Sequence, residues 1–142
     1  MKNNLKEIID SGKNLKVLFV EDNENVRIQL LKLLENFFEN IEIETDGLSA
    51  YENYIKFHKK NGTNYDLVIT DLSMPKLNGM DLSKKIIEHN ANQIIIVISA
   101  QTKSKKLLEL MEIGIYKFLQ KPVDYRDLLD CLISIISKMK NK

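Results

Sequence analysis

Apolar residues along this chain fall into two kinds of run. Five are short and rich in Ile, Val, Leu and Phe: Leu15 to Val20, Ile41 to Glu44, Leu67 to Thr70, Ile94 to Ile98 and Tyr116 to Leu119. Each is too short for an ordinary helix, so the runs predict strands. Their starts lie roughly 22 to 27 residues apart, which leaves room for one helix and two tight loops in each interval. The intervals supply helical spacing. Val26, Leu30, Leu33, Leu34 and Phe37 share one face, as do Leu48, Tyr51 and Ile55, then Leu82, Ile86 and Ile87, then Leu107, Leu110 and Met111. A last helix, Tyr125 to Met139, carries Leu128, Leu129, Leu132, Ile135 and Ile136, with Asp124 after Pro122 placed to cap it.

Strand and helix in alternation predict an α/β fold whose parallel sheet is covered by helices on both faces, because parallel neighbours need crossover connections. Val17 to Val20 and Ile94 to Ile98 are nearly unbroken apolar runs, which suits strands buried on both sides. Ile41-Glu42-Ile43-Glu44 instead alternates and reads as an edge strand with one wet face. That places the second strand outermost, as the doubly wound strand order 2-1-3-4-5 demands, and such sheets place their sites beyond the carboxyl ends of the strands.

Composition narrows the function without naming it. The chain has 142 residues, 44% of them hydrophobic, which fits one domain with an adequate core. Its single cysteine, Cys131, excludes an internal disulfide and reads as a small buried hydrophobe. The net charge is +1, and of 21 basic residues only Arg27 and Arg126 are arginine, so neither nucleic acid nor membrane is an expected partner. No run has the length of a signal peptide or a transmembrane span, and the expected location is cytoplasmic.

The residues just after the strands carry the chemistry. They are Glu21, Asp22 and Asn23, then Asp71, then Ser99, then Gln120, Lys121 and Pro122. Alone, a strand-end Asp is most often a cap or turn former and a Lys before Pro a solvated side chain. Together they would converge on one crevice. Like charges about 4 Å apart repel by roughly 4 kcal/mol at an effective dielectric of about 20, so Glu21, Asp22 and Asp71 call for a cation. With oxygen donors and no His or Cys nearby, the cation is a hard ion such as Mg²⁺, or Mn²⁺ in its place. That ion with Lys121 would neutralise a transferring phosphoryl group, and an Asp carboxylate can accept one as an acyl phosphate.

The stretch Asp66 to Asp81, DLVITDLSMPKLNGMD, resembles the phosphoacceptor segment of response-regulator receiver domains, and FVEDN, SAQ and KFLQKP resemble that family's other signatures. The match runs from about Leu15 to the C-terminus, making residues 15–142 a receiver domain and 1–14 an N-terminal extension. The resemblance implies a flavodoxin-like (βα)5 fold and phosphorylation of Asp71 from the phosphohistidine of a sensor histidine kinase or phosphotransfer protein. It also implies that Asp22, Asp71 and the backbone carbonyl of Ser73 ligate Mg²⁺, that Glu21 holds a metal-bound water, and that Lys121 pairs with the carboxylate and then the phosphoryl oxygens. Ser99 and Phe118 correspond to the switch pair, although Phe118 fits ordinary core equally well. Ser73 and Gln101 occupy positions that tune hydrolysis, and the Lys121–Pro122 bond matches one that is frequently cis. The implied protein is a signalling phosphoacceptor that catalyses only its own phosphorylation and dephosphorylation. Its signal would leave through the helix of Leu107 and Leu110, the fifth strand and the last helix toward a downstream protein target, as in chemotaxis control or a stand-alone adaptor.

Other readings fit less well. A flavodoxin-type electron carrier would need a phosphate loop where Glu21-Asp22-Asn23 stands, and an Asp-nucleophile phosphohydrolase a second acid where Ser73 stands. A receiver cut from a transcription factor, hybrid kinase or cyclase regulator remains open. Glu21 has an alternative role as a capping acid for the helix starting near Asn25. Pro75 and Gly79 read as a turn and a helix entry with permissive dihedrals. His58 and His89 read as solvated surface, and Lys103, Lys105 and Lys106 as a solvated face or a contact for an acidic or amphipathic target. HKKNGTNY, 58–65, reads as a surface excursion, and Leu5, Ile8 and Ile9 as one or two amphipathic turns that pack on the domain or mediate association.

Overall fold

A computed structural model describes residues 2–100 and 103–140. In chain order the elements are α1 (Lys2–Lys13), β1 (Lys16–Val20), α2 (Glu24–Leu34), β2 (Asn40–Glu44), α3 (Gly47–Asn61) and β3 (Leu67–Asp71). They continue with α4 (Gly79–His89), β4 (Ile95–Ser99), α5 (Ser104–Ile113), β5 (Lys117–Gln120) and α6 (Tyr125–Lys140). All five strands are parallel, in the order β2-β1-β3-β4-β5 expected from the pattern. Every predicted strand is present, each boundary within one residue of its apolar run.

The pleat divides the core in two. Val17, Phe19, Leu67, Ile69, Ile96 and Ile98 point to the side covered by α2 and α6, where Leu30, Leu34, Leu128, Cys131, Leu132 and Ile135 meet them. Leu18, Val20, Val68, Ile95 and Val97 face the opposite side, against Ala50 and Tyr54 of α3, Leu82 and Ile86 of α4 and Leu110 of α5. Burying residues from both faces of the central strands is what holds the strand ends, and so the site, in fixed register.

Helix faces shift from the predicted ones where a helix lies at the margin of the sheet. Leu48 is 45% exposed and Met111 64%, because Ala50 with Tyr54, and Leu110, take the inward positions instead. Ile43 lies on the same side as Phe19 but is 36% exposed, since β2 is the outermost strand of the sheet. Residues 58–65 do lie largely at the surface, with 59–63 exposed, but the first half of the stretch is helical. α3 runs through Asn61 and stops at Gly62, whose φ of 74° gives the left-handed cap, while Tyr65 turns back to stack on Phe57 at 3.9 Å between ring centres. At α6 the expected cap is present: Asp127 N donates to Asp124 Oδ1 at 2.8 Å and Asp124 N to Asp127 Oδ2 at 3.3 Å.

The first residues form a helix of 12 residues rather than one or two turns, and it packs on α6. Ile8 joins the core beneath α6. At Gly12 a Cβ would lie 2.9 Å from Leu132 Cδ1 and 3.2 Å from the Phe37 carbonyl, so the close seating of α1 needs glycine there. Among the described residues no helix is long and apolar enough to cross a membrane.

Asp46 caps α3 with both oxygens: Oδ1 accepts from Ser49 N at 2.7 Å and Oδ2 from Ser49 Oγ at 3.0 Å. These bonds, that to the Ser49 backbone first, hold its carboxyl below the ordinary value of 3.8, against a smaller opposing effect of burial. A carboxyl depressed in the folded state adds stability above its unfolded value and loses it as pH falls through the folded one. Asp46→Ala is therefore expected to cost about 1 kcal/mol in urea unfolding at neutral pH. The gap from wild type should close as the solution is acidified below the depressed Asp46 value.

Candidate functional site

Each strand that ends at the upper rim delivers one or two polar side chains there. β1 ends in Glu21 and Asp22, β3 in Asp71, β4 in Ser99, and β5 runs into Lys121. Carboxylate oxygens of Glu21, Asp22 and Asp71 lie within 4.8 Å of one another. The rim expected from the strand pattern is therefore real, and it joins residues 50 positions apart in the chain. All donors are oxygens, a set suited to a hard divalent cation rather than zinc.

Glu21 is the most constrained member, being 1% exposed. Its Oε1 accepts from Lys121 Nζ at 2.8 Å and its Oε2 from Asn23 N at 3.2 Å. Burial pushes its carboxyl above the ordinary value of 4.5, and the Asp71 charge pushes the same way, while Lys121 and the Asn23 N–H pull back. Glu21 does not cap α2. Asn23 does so, its Oδ1 accepting from Val26 N at 3.0 Å.

Asp71 is buried at the base of the crevice. Its Oδ1 accepts from Leu72 N at 2.7 Å, and its Oδ2 lies 3.5 Å from Lys121 Nζ. Lys121 is thus shared between two carboxylates and sits closer to Glu21 than to Asp71. Asp22 is exposed, on the open side of the cluster. Ser73 is exposed two residues past β3. Ser99 is buried at the end of β4, paired with Gln120, and its carbonyl accepts from Lys121 N at 2.8 Å. Phe118, opposite Val97 on β5, is half-buried against the core under α3, α4 and α5. Gln101 lies outside the described residues. The Lys121–Pro122 peptide is cis, as the resemblance implied.

Gly79 serves this site differently from the expectation. Its φ is not left-handed; instead a Cβ would stand 2.0 Å from the Asp71 carbonyl, so glycine lets α4 start directly against the end of β3. Lys76, at φ 68°, takes the left-handed position in that loop. Arg27 is a residue whose place here the pattern did not suggest. Its Nη1 donates to the carbonyls of Glu21 at 3.1 Å and Asp22 at 3.3 Å, bracing the acidic loop from behind with a positive charge. The available signal was its rarity, one of two arginines in a lysine-rich chain, on the first turn of the helix that follows the acids.

Residues 17–133 match the sequence profile of the response regulator receiver domain, and the chain belongs to that family. Among curated relatives, the transcriptional regulatory protein RprY of Bacteroides fragilis is 28% identical over 95% of this chain, which spans only 55% of RprY. The chemotaxis protein CheY of Treponema pallidum is 28% identical over 89% of this chain and 85% of its own length. A solved structure of a CheX–CheY–BeF3–Mg²⁺ complex from Borrelia burgdorferi superposes with a TM-score of 0.77 at 30% identity, covering 89% of this chain and 92% of that one. The relatives include both a short chemotaxis protein and a longer transcriptional regulator.

The Glu21–Lys121 pair gives a direct test of the rim's electrostatics. Lys121→Met leaves Glu21 buried without its partner and should cost roughly 2 kcal/mol at pH 8. The ionised form carries that cost, so the loss should shrink as pH falls and Glu21 takes up a proton. Adding Glu21→Gln to Lys121→Met should recover most of it in denaturant titrations.

Proposed function

We propose that this protein is a phosphorylation-operated switch in which Asp71 accepts a phosphoryl group, with Mg²⁺, or Mn²⁺ in its place, as the required ion. The observation that carries the reading is the meeting of Glu21, Asp22 and Asp71 within 4.8 Å, with Lys121 Nζ between two of them, in a chain of the receiver family. Asp22, Asp71 and the Ser73 carbonyl would hold the ion, and Glu21 a water on it. The ion supplies neutralisation of charge on the phosphoryl oxygens during transfer.

In the transfer an Asp71 carboxylate oxygen forms the new O–P bond as the N–P bond of a phosphohistidine breaks, and the imidazole leaves. Lys121 Nζ, already 3.5 Å from Asp71 Oδ2, exchanges its contact with Glu21 for one with the phosphoryl group. Leu72 N holds the other oxygen, so only one faces the donor. The Ser99 hydroxyl turns to a phosphoryl oxygen and Phe118 moves into the space released. Having no phenolic hydroxyl, Phe118 signals by packing alone. Ser73 and Gln101 then tune attack of water on the acyl phosphate.

A groove of about 280 Å³ lined by Val26, Leu30, Leu33, Pro122 and Val123 opens beside Lys121, and its apolar floor suits a helix of the kinase or phosphotransfer donor. Output runs through α5, β5 and α6 to a protein target. Lys103, Lys105 and Lys106 lead that surface, and Leu108 and Met111 are exposed on it, a combination that fits an acidic amphipathic partner. Residues 15–142 form the receiver unit, with α1 appended to it.

Incubation with acetyl phosphate and Mg²⁺ should add one phosphoryl group by intact mass, and the adduct should vanish in Asp71→Asn or on chelation of the metal. An unmodified wild-type chain under those conditions overturns the proposal. Lys121→Ala should still bind Mg²⁺, while the amide NMR shifts of α5 and β5 that accompany beryllofluoride in wild type fail to appear.

A further inference from the structure

The chain contains two histidines, and neither belongs to the rim. His58 lies in the last turn of α3 and His89 in the last turn of α4. Helices of this fold run back from the carboxyl edge, so both residues sit at the opposite edge of the sheet from Glu21, Asp22 and Asp71. Although 31 positions separate them, α3 and α4 pack side by side and bring the two rings to 5.2 Å between centres, at 81° between planes. They touch each other, with His89 exposed as the pattern had implied and His58 half-buried.

We infer that His58 and His89 form a second cation site, selective for an imidazole-preferring first-row ion such as Zn²⁺ or Ni²⁺. Two imidazoles bound to one tetrahedral ion, with bonds of about 2.0–2.1 Å, have their ring centres roughly 5 Å apart. The ring centres here, 5.2 Å apart, match that spacing, so rotation of the two side chains, without movement of the helices, would turn a nitrogen of each toward one ion. The rings are also steadied from behind. His89 packs edge-on against Tyr54 at 5.8 Å, and Tyr54 is fixed in turn by a 2.5 Å bond from its hydroxyl to Gln93 Oε1. The backbone of His58 is held by the Gly62 N–H, which donates to its carbonyl at 2.8 Å.

Placement and ligand chemistry point the same way. Each histidine stands at a helix C-terminus, where the unpaired carbonyls leave partial negative charge that favours a cation. Lys59 and Lys60 follow His58 and oppose this, while Glu88 precedes His89 and favours it. Neutral nitrogen donors rank Ni²⁺, Cu²⁺ and Zn²⁺ far above Mg²⁺, whereas the oxygen-only rim discriminates much less and takes Mg²⁺ when that ion is in excess. The two edges of the sheet would therefore sort metals by ligand type. Two protein ligands leave the remaining positions to water, and a bound ion would tie α3 to α4.

The test uses the full chain without a polyhistidine tag, with the rim saturated by Mg²⁺, titrated with NiCl₂ and then ZnCl₂ by calorimetry. One ion should bind wild type and raise its thermal midpoint. His58→Gln and His89→Gln should each weaken binding at least tenfold and abolish the thermal shift, while Asp22→Asn leaves both unchanged. The metal-free midpoints of the variants report whether they fold. Failure of wild type to bind either ion overturns the inference, as does binding that survives both histidine substitutions or is lost only in Asp22→Asn. None of these readouts depends on phosphorylation of Asp71, so the inference and the switch proposal fail separately.

Discussion

Negative charge gathered at one rim is the constraint around which this molecule is arranged. Glu21, Asp22 and Asp71 come from two strands that are adjacent only because the sheet order is 2-1-3-4-5. Their repulsion is tolerable only with cations placed among them. The protein supplies two of its own, Lys121 in front, at 2.8 Å from Glu21, and Arg27 behind, on the carbonyls of Glu21 and Asp22. Neither exhausts the negative charge. Burial and the neighbouring Asp71 still raise the Glu21 carboxyl above its ordinary value, a residual imbalance that a divalent ion would relieve. Affinity for the ion and readiness for the reaction thus have the same origin.

The rest of the fold serves that rim by holding it still. Strands β1, β3 and β4 are buried on both faces, so their ends cannot slide without breaking two cores at once. Asp71 is additionally fixed by Leu72 N and by Gly79, whose missing side chain admits α4 against the Asp71 carbonyl. β5 differs: Phe118 and Leu119 are only half-buried, and α5 presents Leu108 and Met111 to solvent. β5 and α5, on the side proposed for output, thus have little core behind them, and a change of packing there costs less than at β1, β3 or β4.

Much of this was legible in the chain itself. Strands announced themselves because both-face burial demands unbroken apolar runs, and Glu42 and Glu44 marked the edge strand by alternation. The acids and Lys121 were legible because they stand directly after those runs. What stayed hidden depends on distance between elements rather than on local pattern. Met111 and Leu48 fit a helical stripe equally well whether the neighbouring sheet reaches them or not. Gly79 looked like a dihedral device because its partner, the Asp71 carbonyl, is eight residues away and brought close only by the fold. The pairing of His58 with His89 was invisible for the same reason, whereas Arg27 lies only five and six residues from the carbonyls it holds and its rarity was the signal passed over. α1 was underestimated because the groove that receives it is built from Leu132 and Phe37, far along the chain.

The central claim is that the rim acids are held together by one shared divalent ion. Crystals grown with Mn²⁺ and measured at the manganese absorption edge test it without reference to phosphate. The account predicts a single strong anomalous peak in contact with the carboxylates of both Asp22 and Asp71, with Lys121 still on Glu21. A peak bound elsewhere, or Asp22 turned to solvent and no ion beside Asp71, would contradict it.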